Sequence, residues 1–383
     1  MHVVVAHSRY SADAGTGENV HVEREIAALE RAGVTVTAYL PSSADQPAAR
    51  LAVRSLWSTE AARQVRSLLA QGSVDLVHVH NVQPMLSSSV IAAAARQGVP
   101  VVATVHNYRF RCLPAINYRD GHICHDCRPG RLFLPGIVHR CYRDSLGGSA
   151  VAAAGQLPAR ATRRRVARWL AISEYVAGRL RADRFPAERI AVHHNFAPDP
   201  GAGREPAART DELLYAGKLT TDKGVGLLLE AWRSAPDIPG RLIIAGLGPL
   251  EPDVRALAQG DERVTYLGAV SIDELTTIRQ RCCAALVPSL WEEPFGLTAV
   301  EAMASGTPVV STGSGALAEI VDPTTGYVVE PTVAGLASGI IRAIGERGRL
   351  GPAARERYLQ RFTEEIAVHR LIREYRTAAA AGR

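Results

Sequence analysis

Lysine is almost missing from this chain. Among 44 Lys and Arg residues in 383, only Lys218 and Lys223 are lysines, and both fall in one Gly-flanked stretch. Elsewhere the sequence writes Arg for positive charge, so the two lysines mark a position where function is the preferred reading. Aromatic residues are also sparse, at 5%, which argues against the stacking platforms of a single-stranded nucleic-acid binder. No run of 18 apolar residues occurs, so no membrane-spanning helix is expected. The opening Met1-His2-Val3-Val4-Val5-Ala6 has neither a basic leader nor a cleavage site. It reads as a strand, and the expected location is cytoplasmic, with reduced cysteines.

What is present is the balance of a globular protein, 47% apolar and 21% charged. At roughly 100–200 residues per domain, the length suggests two or more. The net charge of +6 favours anionic partners such as phosphates but is too small to imply nucleic-acid binding. Strand and helix signals alternate, the pattern of parallel sheets wrapped on both faces. Strands are expected at 2–7, 34–40, 76–79, 100–106, 169–172 and 190–193, then at 213–215, 241–245, 264–267, 284–287, 308–311 and 327–329. Helices are expected at 20–31, 90–96, 162–168, from Ser173, and over 352–380. The Pro- and Gly-dense run 195–209 reads as a linker. The fold class is therefore α/β, with two Rossmann-like doubly wound domains and a cleft between them, and ligands beyond the carboxyl ends of the strands.

The alternation breaks between Arg109 and Gly148. This long, irregular segment holds Cys112, Cys124, Cys127 and Cys141, in the order C-x11-C-x2-C-x13-C. The set could ligate a structural zinc tetrahedrally, although only one CxxC is present. Free thiols, or one or two disulfides, are the alternatives. Cys282 and Cys283 precede an apolar strand and read as core.

Two loops carry the chemistry. Ala216-Gly217-Lys218-Leu219-Thr220-Thr221-Asp222-Lys223-Gly224 follows a strand and precedes a helix. Its glycines let backbone approach an anion, and two cations can flank a diphosphate. The plainer reading is a loop with two solvated lysines. In Ser289–Pro308, Glu293 precedes a helix and Glu301 lies on it, with the N–H groups of Phe295, Gly296 and Leu297 opening the helix. Helix N-termini seat phosphate, and carboxylates accept hydroxyl hydrogen bonds from polyols. Without a ligand, Glu293 would be a helix N-terminal charge worth a few tenths to about 1 kcal/mol. His78 and His80 share one strand face, facing a cleft or simply packing. His193 and His194 read as core or hinge. Arg163-Arg164-Arg165 is a solvated face or a small membrane-contacting patch.

The second loop resembles family 4 glycosyltransferases of the GT-B fold, whose signature is Glu, seven residues, Glu; here it is Glu293-PFGLTAV-Glu301, followed by AMASGTPVVST and Gly313-Ser314-Gly315. Other matches run in order: Ala14-Gly15-Thr16-Gly17-Glu18-Asn19, Asp75-LVHVH-Asn81, Thr104-Val105-His106-Asn107, Ile172-Ser173-Glu174, His194-Asn195-Phe196 and Ile244-Ala245-Gly246-Leu247-Gly248-Pro249-Leu250. The resemblance implies an acceptor-side domain over 1–196, a nucleotide-sugar domain over 197–365, and a closing helix, 366–383, packing back on the first domain. It implies a retaining, hexosyltransferase-like enzyme of exopolysaccharide or natural-product type that needs no catalytic metal. Lys223 and Lys218 would face the donor diphosphate, Lys218 standing where Arg is usual. Glu301 would hold the ribose, Glu293 the donor sugar, and His106 would sit near the anomeric carbon. Gly17 would let the N-terminal loop approach the phosphates, with the base between the turn at Gly246 and the backbone near Val270. The rival readings are a GT-B nucleotide-sugar epimerase, a phosphorylase, and a non-catalytic nucleotide- or nucleic-acid-binding protein on the same scaffold. Base, sugar and acceptor (carbohydrate, lipid-linked or small molecule) are not legible in these residues.

Overall fold

A computed structural model describes residues 1–9, 17–44, 46–127, 132–201 and 209–381. Gly15 and Thr16 of the N-terminal loop, 202–208 of the linker and 128–131 of the cysteine segment lie outside them. The chain divides into two compact units. One comprises Met1–Asn117, Cys124–His194 and Ala367–Arg383; the other comprises Tyr118–Ile123 and Asn195–Ile366.

The first unit is built on β1 (His2–Ala6), β2 (Thr35–Tyr39), β3 (Leu76–Val79) and β4 (Val101–Val105). After the short strands β5 (Tyr118–Arg119) and β6 (His122–Ile123) come β7 (Arg168–Ala171) and β8 (Ile190–Val192). Six of these form a parallel sheet in the order β2-β1-β3-β4-β7-β8. Val3, Val4, Val5, Leu76, Val77, Val101 and Val102 are fully buried. Such unbroken apolar runs suit strands covered on both faces. β5 and β6, which belong to the second unit, make an antiparallel hairpin turned by Asp120 and Gly121, both at positive φ, as tight hairpin turns require.

In the second unit β9 (Glu212–Ala216), β10 (Arg241–Ala245), β11 (Val264–Gly268), β12 (Ala284–Val287), β13 (Val309–Ser311) and β14 (Gly326–Val328) form a parallel sheet. Its order is β11-β10-β9-β12-β13-β14. The core packs Leu213, Trp232, Ile244, Leu286 and Ile340. In each sheet the strand order reverses once, between β1 and β3 and between β9 and β12. Crevices for ligands open at such reversals, beyond the carboxyl ends of the strands.

The expected strands are all present, within a residue or two of their expected ends. The helices are less well matched. The helix expected at 162–168 is instead Leu146–Thr162, followed by a 3-10 turn at Arg163–Arg165. The sequence places Gly147 and Gly148 in the irregular segment that ends at Gly148. In fact the Ser145 hydroxyl caps the start by accepting from Gly148 N–H, and the alanines carry the helix past the proline. Helices Ala48–Leu56 and Thr59–Ala70 were not anticipated. The closing stretch is two helices, Arg347–Arg361 and Glu364–Ala381, separated at the buried Phe362. Among the described residues no helix is long and apolar enough to cross a membrane.

Candidate functional site

At the reversal in the second sheet, the loop after β9 meets the loop after β12. The carbonyl of Asp222 accepts from Leu290 N–H at 2.8 Å and from Trp291 N–H at 3.3 Å. Gly224 lies so close that an added Cβ would sit 1.7 Å from the Pro288 carbonyl oxygen. This contact brings Lys223 to Glu293. The ammonium donates to both carboxylate oxygens, at 3.1 and 2.9 Å, and lies 4.6 Å from the centre of the Trp291 ring. Glu293 Oε2 also accepts from Trp291 Nε1 at 2.6 Å and Ser289 Oγ at 3.1 Å. The carboxylate is therefore held by three donors. Its backbone is pinned as well, since its carbonyl accepts from Ala316 N–H at 2.8 Å.

Gly296, at φ +99°, turns the chain into helix Leu297–Ala304. Ala299 is the first residue whose N–H bonds back to Gly296, at 3.0 Å. The N–H groups of Phe295, Gly296 and Leu297 thus belong to the opening turn, the positive end of the helix dipole. One turn on, Glu301 Oε2 accepts from Arg279 Nη2 at 2.6 Å. Arg279 is nearly fully buried, and nothing in the spacing of the Glu293–Glu301 motif points to it.

On the other side of β9, Lys218 is exposed and, among the described residues, makes no ion pair. Its loop is keyed to the turn after β10. Leu219 N–H donates to the Leu247 carbonyl at 2.9 Å, and Leu250 N–H to the Leu219 carbonyl at 3.0 Å. Gly246, at φ +139°, lets the turn approach so closely that a Cβ would meet the Gly217 carbonyl at 1.8 Å. Gly246 N–H in turn donates to Gly268 at 2.7 Å, two residues before Val270. The second unit therefore gathers Lys218, Lys223, Gly246, Glu293, Phe295, Gly296, Leu297 and Glu301 along one sheet edge.

The first unit has its own polar centre at its reversal. A cavity there is lined by Glu18, His80, Asn81, His106, Asn107 and Arg109, among others. Gly17 opens helix Gly17–Arg31 directly before Glu18. Burial pushes the Glu18 carboxyl up to about 7, against the pull of Arg109 and the hydrogen bond from Asn107. His106 Nε2 lies 2.9 Å from His80 Nδ1, and the two rings are stacked. Burial holds the His106 imidazole well below its ordinary range, assisted by His80 and His21. Sequence reasoning picked out His106 and Gly17. It passed over Glu18, although the residue stood within a quoted motif.

His78, His80 and His193 lie against a carboxylate, Glu25, within 3.5 Å of it. Of the basic run, Arg163 turns inward. Its guanidinium lies 3.9 Å over the Phe185 ring and donates to the Phe110 and Asp183 carbonyls.

Cys112, Cys124, Cys127 and Cys141 form no disulfide and are half-buried, whereas Cys282 and Cys283 are fully buried in the core. The Cys112 sulfur accepts from Asn117 N–H at 3.4 Å. Among the described residues, one group of metal-capable side chains has all its ligand atoms within 4.8 Å of one another. It is Glu25, His78 and His80, not the cysteines.

Comparison with known proteins agrees with this architecture. Over its full length the chain superposes on sucrose-phosphate synthase from Thermosynechococcus elongatus, with TM-score 0.72, 19% identity and 100% of each chain covered. It is also similar to the Anabaena protein HepE in complex with UDP, with TM-score 0.66, 18% identity and 97% and 98% covered. Both likenesses are of fold. In sequence it is 36% identical over 173 residues to glycogen synthase of Mycobacterium tuberculosis, 43% of this chain and 42% of that one. It is 36% identical over 155 residues to D-inositol 3-phosphate glycosyltransferase of Pseudarthrobacter chlorophenolicus, 38% and 35% of the two chains. The match thus spans less than half the length of each of these curated relatives. Residues 15–198 match the family described as Glycosyltransferase Family 4, and residues 210–346 match Glycosyl transferases group 1. Together the two models take in most of the chain, which belongs to the family 4 glycosyltransferases of the GT-B fold.

Proposed function

We propose that the chain is a retaining glycosyltransferase that moves a sugar from a nucleotide-diphosphate sugar to a carbohydrate, lipid-linked or small-molecule acceptor. The observation that carries this reading is the convergence, at the reversal of the second sheet, of two lysines, a helix N-terminus and two anchored carboxylates. Charge develops on the departing diphosphate as the glycosidic bond breaks. Preorganised donors aimed at that charge are worth most in a sheltered site. The ammonium groups of Lys218 and Lys223 and the N–H groups of 295–297 would supply them, with no catalytic metal required. Glu293, fixed by Trp291, Ser289 and Lys223, would orient donor-sugar hydroxyls. Glu301, fixed by Arg279, would accept from the ribose. In this arrangement Lys223 both pairs with Glu293 and reaches toward the phosphates, so it links sugar and leaving group. The UDP held by HepE supports a nucleotide-sugar donor.

Structural zinc on the four cysteines belongs to the same reading. Four reduced thiols in one segment are a suitable donor set, but an ion would have to draw sulfurs together from wider spacing. Zinc well below one per chain in a variant that retains only these candidate ligands removes it.

A thermal-shift panel of nucleoside diphosphates and their sugar conjugates tests the enzyme reading at its first step. At least one should stabilise the protein, and no response from any of them would end the proposal. Glu301→Ala is expected to weaken nucleotide binding, whereas Glu293→Ala mainly lowers turnover. Equal loss of nucleotide affinity in both would overturn the division of roles.

A further inference from the structure

Glu25 is a carboxylate with nothing ordinary to neutralise it. It projects from helix Gly17–Arg31 into the interior of the first unit, its side chain 2% exposed. Neither oxygen makes a hydrogen bond of normal geometry. No Lys or Arg reaches it within ion-pair distance among the described residues. A buried carboxylate left in this state costs several kcal/mol, more than a domain of marginal stability tolerates without compensation.

Imidazoles surround it instead. His80 Nε2 lies 3.2 Å from Oε1 and His78 Nδ1 3.5 Å from the same atom. His193 Nε2 and His21 Nε2 lie 3.5 and 3.6 Å from Oε2. All four rings are buried. A tetrahedral shell with bonds near 2.0–2.1 Å puts neighbouring ligand atoms about 3.3 Å apart. The four oxygen-to-nitrogen separations are near that size, and none of them is a hydrogen bond of normal geometry.

We propose that Glu25, His80 and His78, whose ligand atoms all lie within 4.8 Å of one another, bind a divalent transition-metal ion of the zinc class inside the first unit. His78 Nε2 lies 2.8 Å from Thr104 Oγ1, which orients the ring, and on binding its Nδ1 would exchange the 2.7 Å contact with the Tyr375 hydroxyl for the ion. His193, whose two ring nitrogens have no hydrogen bond, and His21, at i−4 on the helix of Glu25, stand beside the other carboxylate oxygen. His80 Nδ1 against His106 Nε2 is the outer-shell contact that holds a ligating ring in one orientation. His80 and His106 also line the neighbouring cavity, which gives an ion a way in. The ion is structural. It neutralises Glu25 and, through His80, holds His106, so His80 is a positioning residue. The inference does not depend on the glycosyltransferase reading, because its ligands are defined by the carboxylate alone.

The test uses the full chain, incubated with zinc and dialysed, with metal measured by mass spectrometry. Glu25→Gln should lose about one equivalent relative to wild type, whereas Cys124→Ser/Cys127→Ser should still bind that equivalent. Wild-type protein without bound metal, or Glu25→Gln with undiminished content, overturns the proposal. Should Glu25→Gln fail to fold, cobalt substitution in the Cys124→Ser/Cys127→Ser background decides. Visible bands of tetrahedral cobalt with nitrogen and oxygen ligands support the site, and a spectrum of hydrated cobalt overturns it.

Discussion

At Glu18 one carboxylate couples stability to pH. Burial raises its pKa from the usual 4.5 to about 7. Between those values the folded protein holds a proton that the unfolded chain has released. This group's contribution to stability is therefore greatest below the lower value and falls as pH rises through the upper one. Glu18→Gln, which cannot ionise, should gain on wild type as the pH is raised from about 5 to about 8, by at most about 3 kcal/mol. Melting temperatures across that range check it, and parallel curves for the two proteins would sink it. Gly224 is a steric counterpart. It sits at φ +72° with a backbone carbonyl where a Cβ would go, so Gly224→Ala should cost about 2–4 kcal/mol in urea unfolding. Gly226, two residues on, has nothing within 4 Å of an added Cβ. As a helix position it should accept alanine with a gain of up to about 1 kcal/mol. Equal effects at the two glycines would mean that the loop gives way at Pro288.

Between elements, the junction of the loops after β9 and β12 is the unit that matters. Lys223 and Glu293 are 70 positions apart in sequence, yet share two hydrogen bonds with side chains 26% and 12% exposed. A double-mutant cycle with Lys223→Met and Glu293→Gln should show a coupling of about 1–2 kcal/mol in unfolding free energy, moderated by the solvent that reaches the pair. Additive losses would mean that Trp291 and Ser289 alone hold the carboxylate. The strands and both loops were legible because buried parallel strands are short apolar runs and because Gly and Lys are conspicuous here. The Lys223–Glu293 pair itself was not, since periodicity carries no information about which loops meet. Arg279 and Trp291 were missed for a related reason. An arginine on a helix, and an aromatic residue in a loop, have no local signal for the carboxylate they will anchor. Helix Leu146–Thr162 was hidden by its own glycines and proline, whose local cost is outweighed by a serine cap and packing. Glu25 was hidden most thoroughly, as one of several acidic residues on an amphipathic helix until β3 and the segment after β8 bring histidines to it.

Across the whole molecule, each unit has its own sheet and core, and the last helix contributes to the first unit's interior. Leu371, Tyr375 and Ala378 are fully buried, and Glu374 accepts from Arg168 of β7 at 2.6 and 2.9 Å. The first unit is thus completed by residues more than 360 positions from its opening strand. Tyr375→Ala removes a large buried ring and should destabilise that unit by about 3–5 kcal/mol. Nucleotide bound at the carboxyl edge of the second sheet should act elsewhere, adding about 2.7 kcal/mol to the second unit at a hundredfold excess over Kd. Denaturant unfolding is therefore expected to show two transitions. Tyr375→Ala should move one of them, and the stabilising nucleoside diphosphate should move the other. If a single transition responds equally to the substitution and to the nucleotide, the two units unfold as one cooperative body. The closing helix would then stabilise the whole chain rather than the unit whose core it fills.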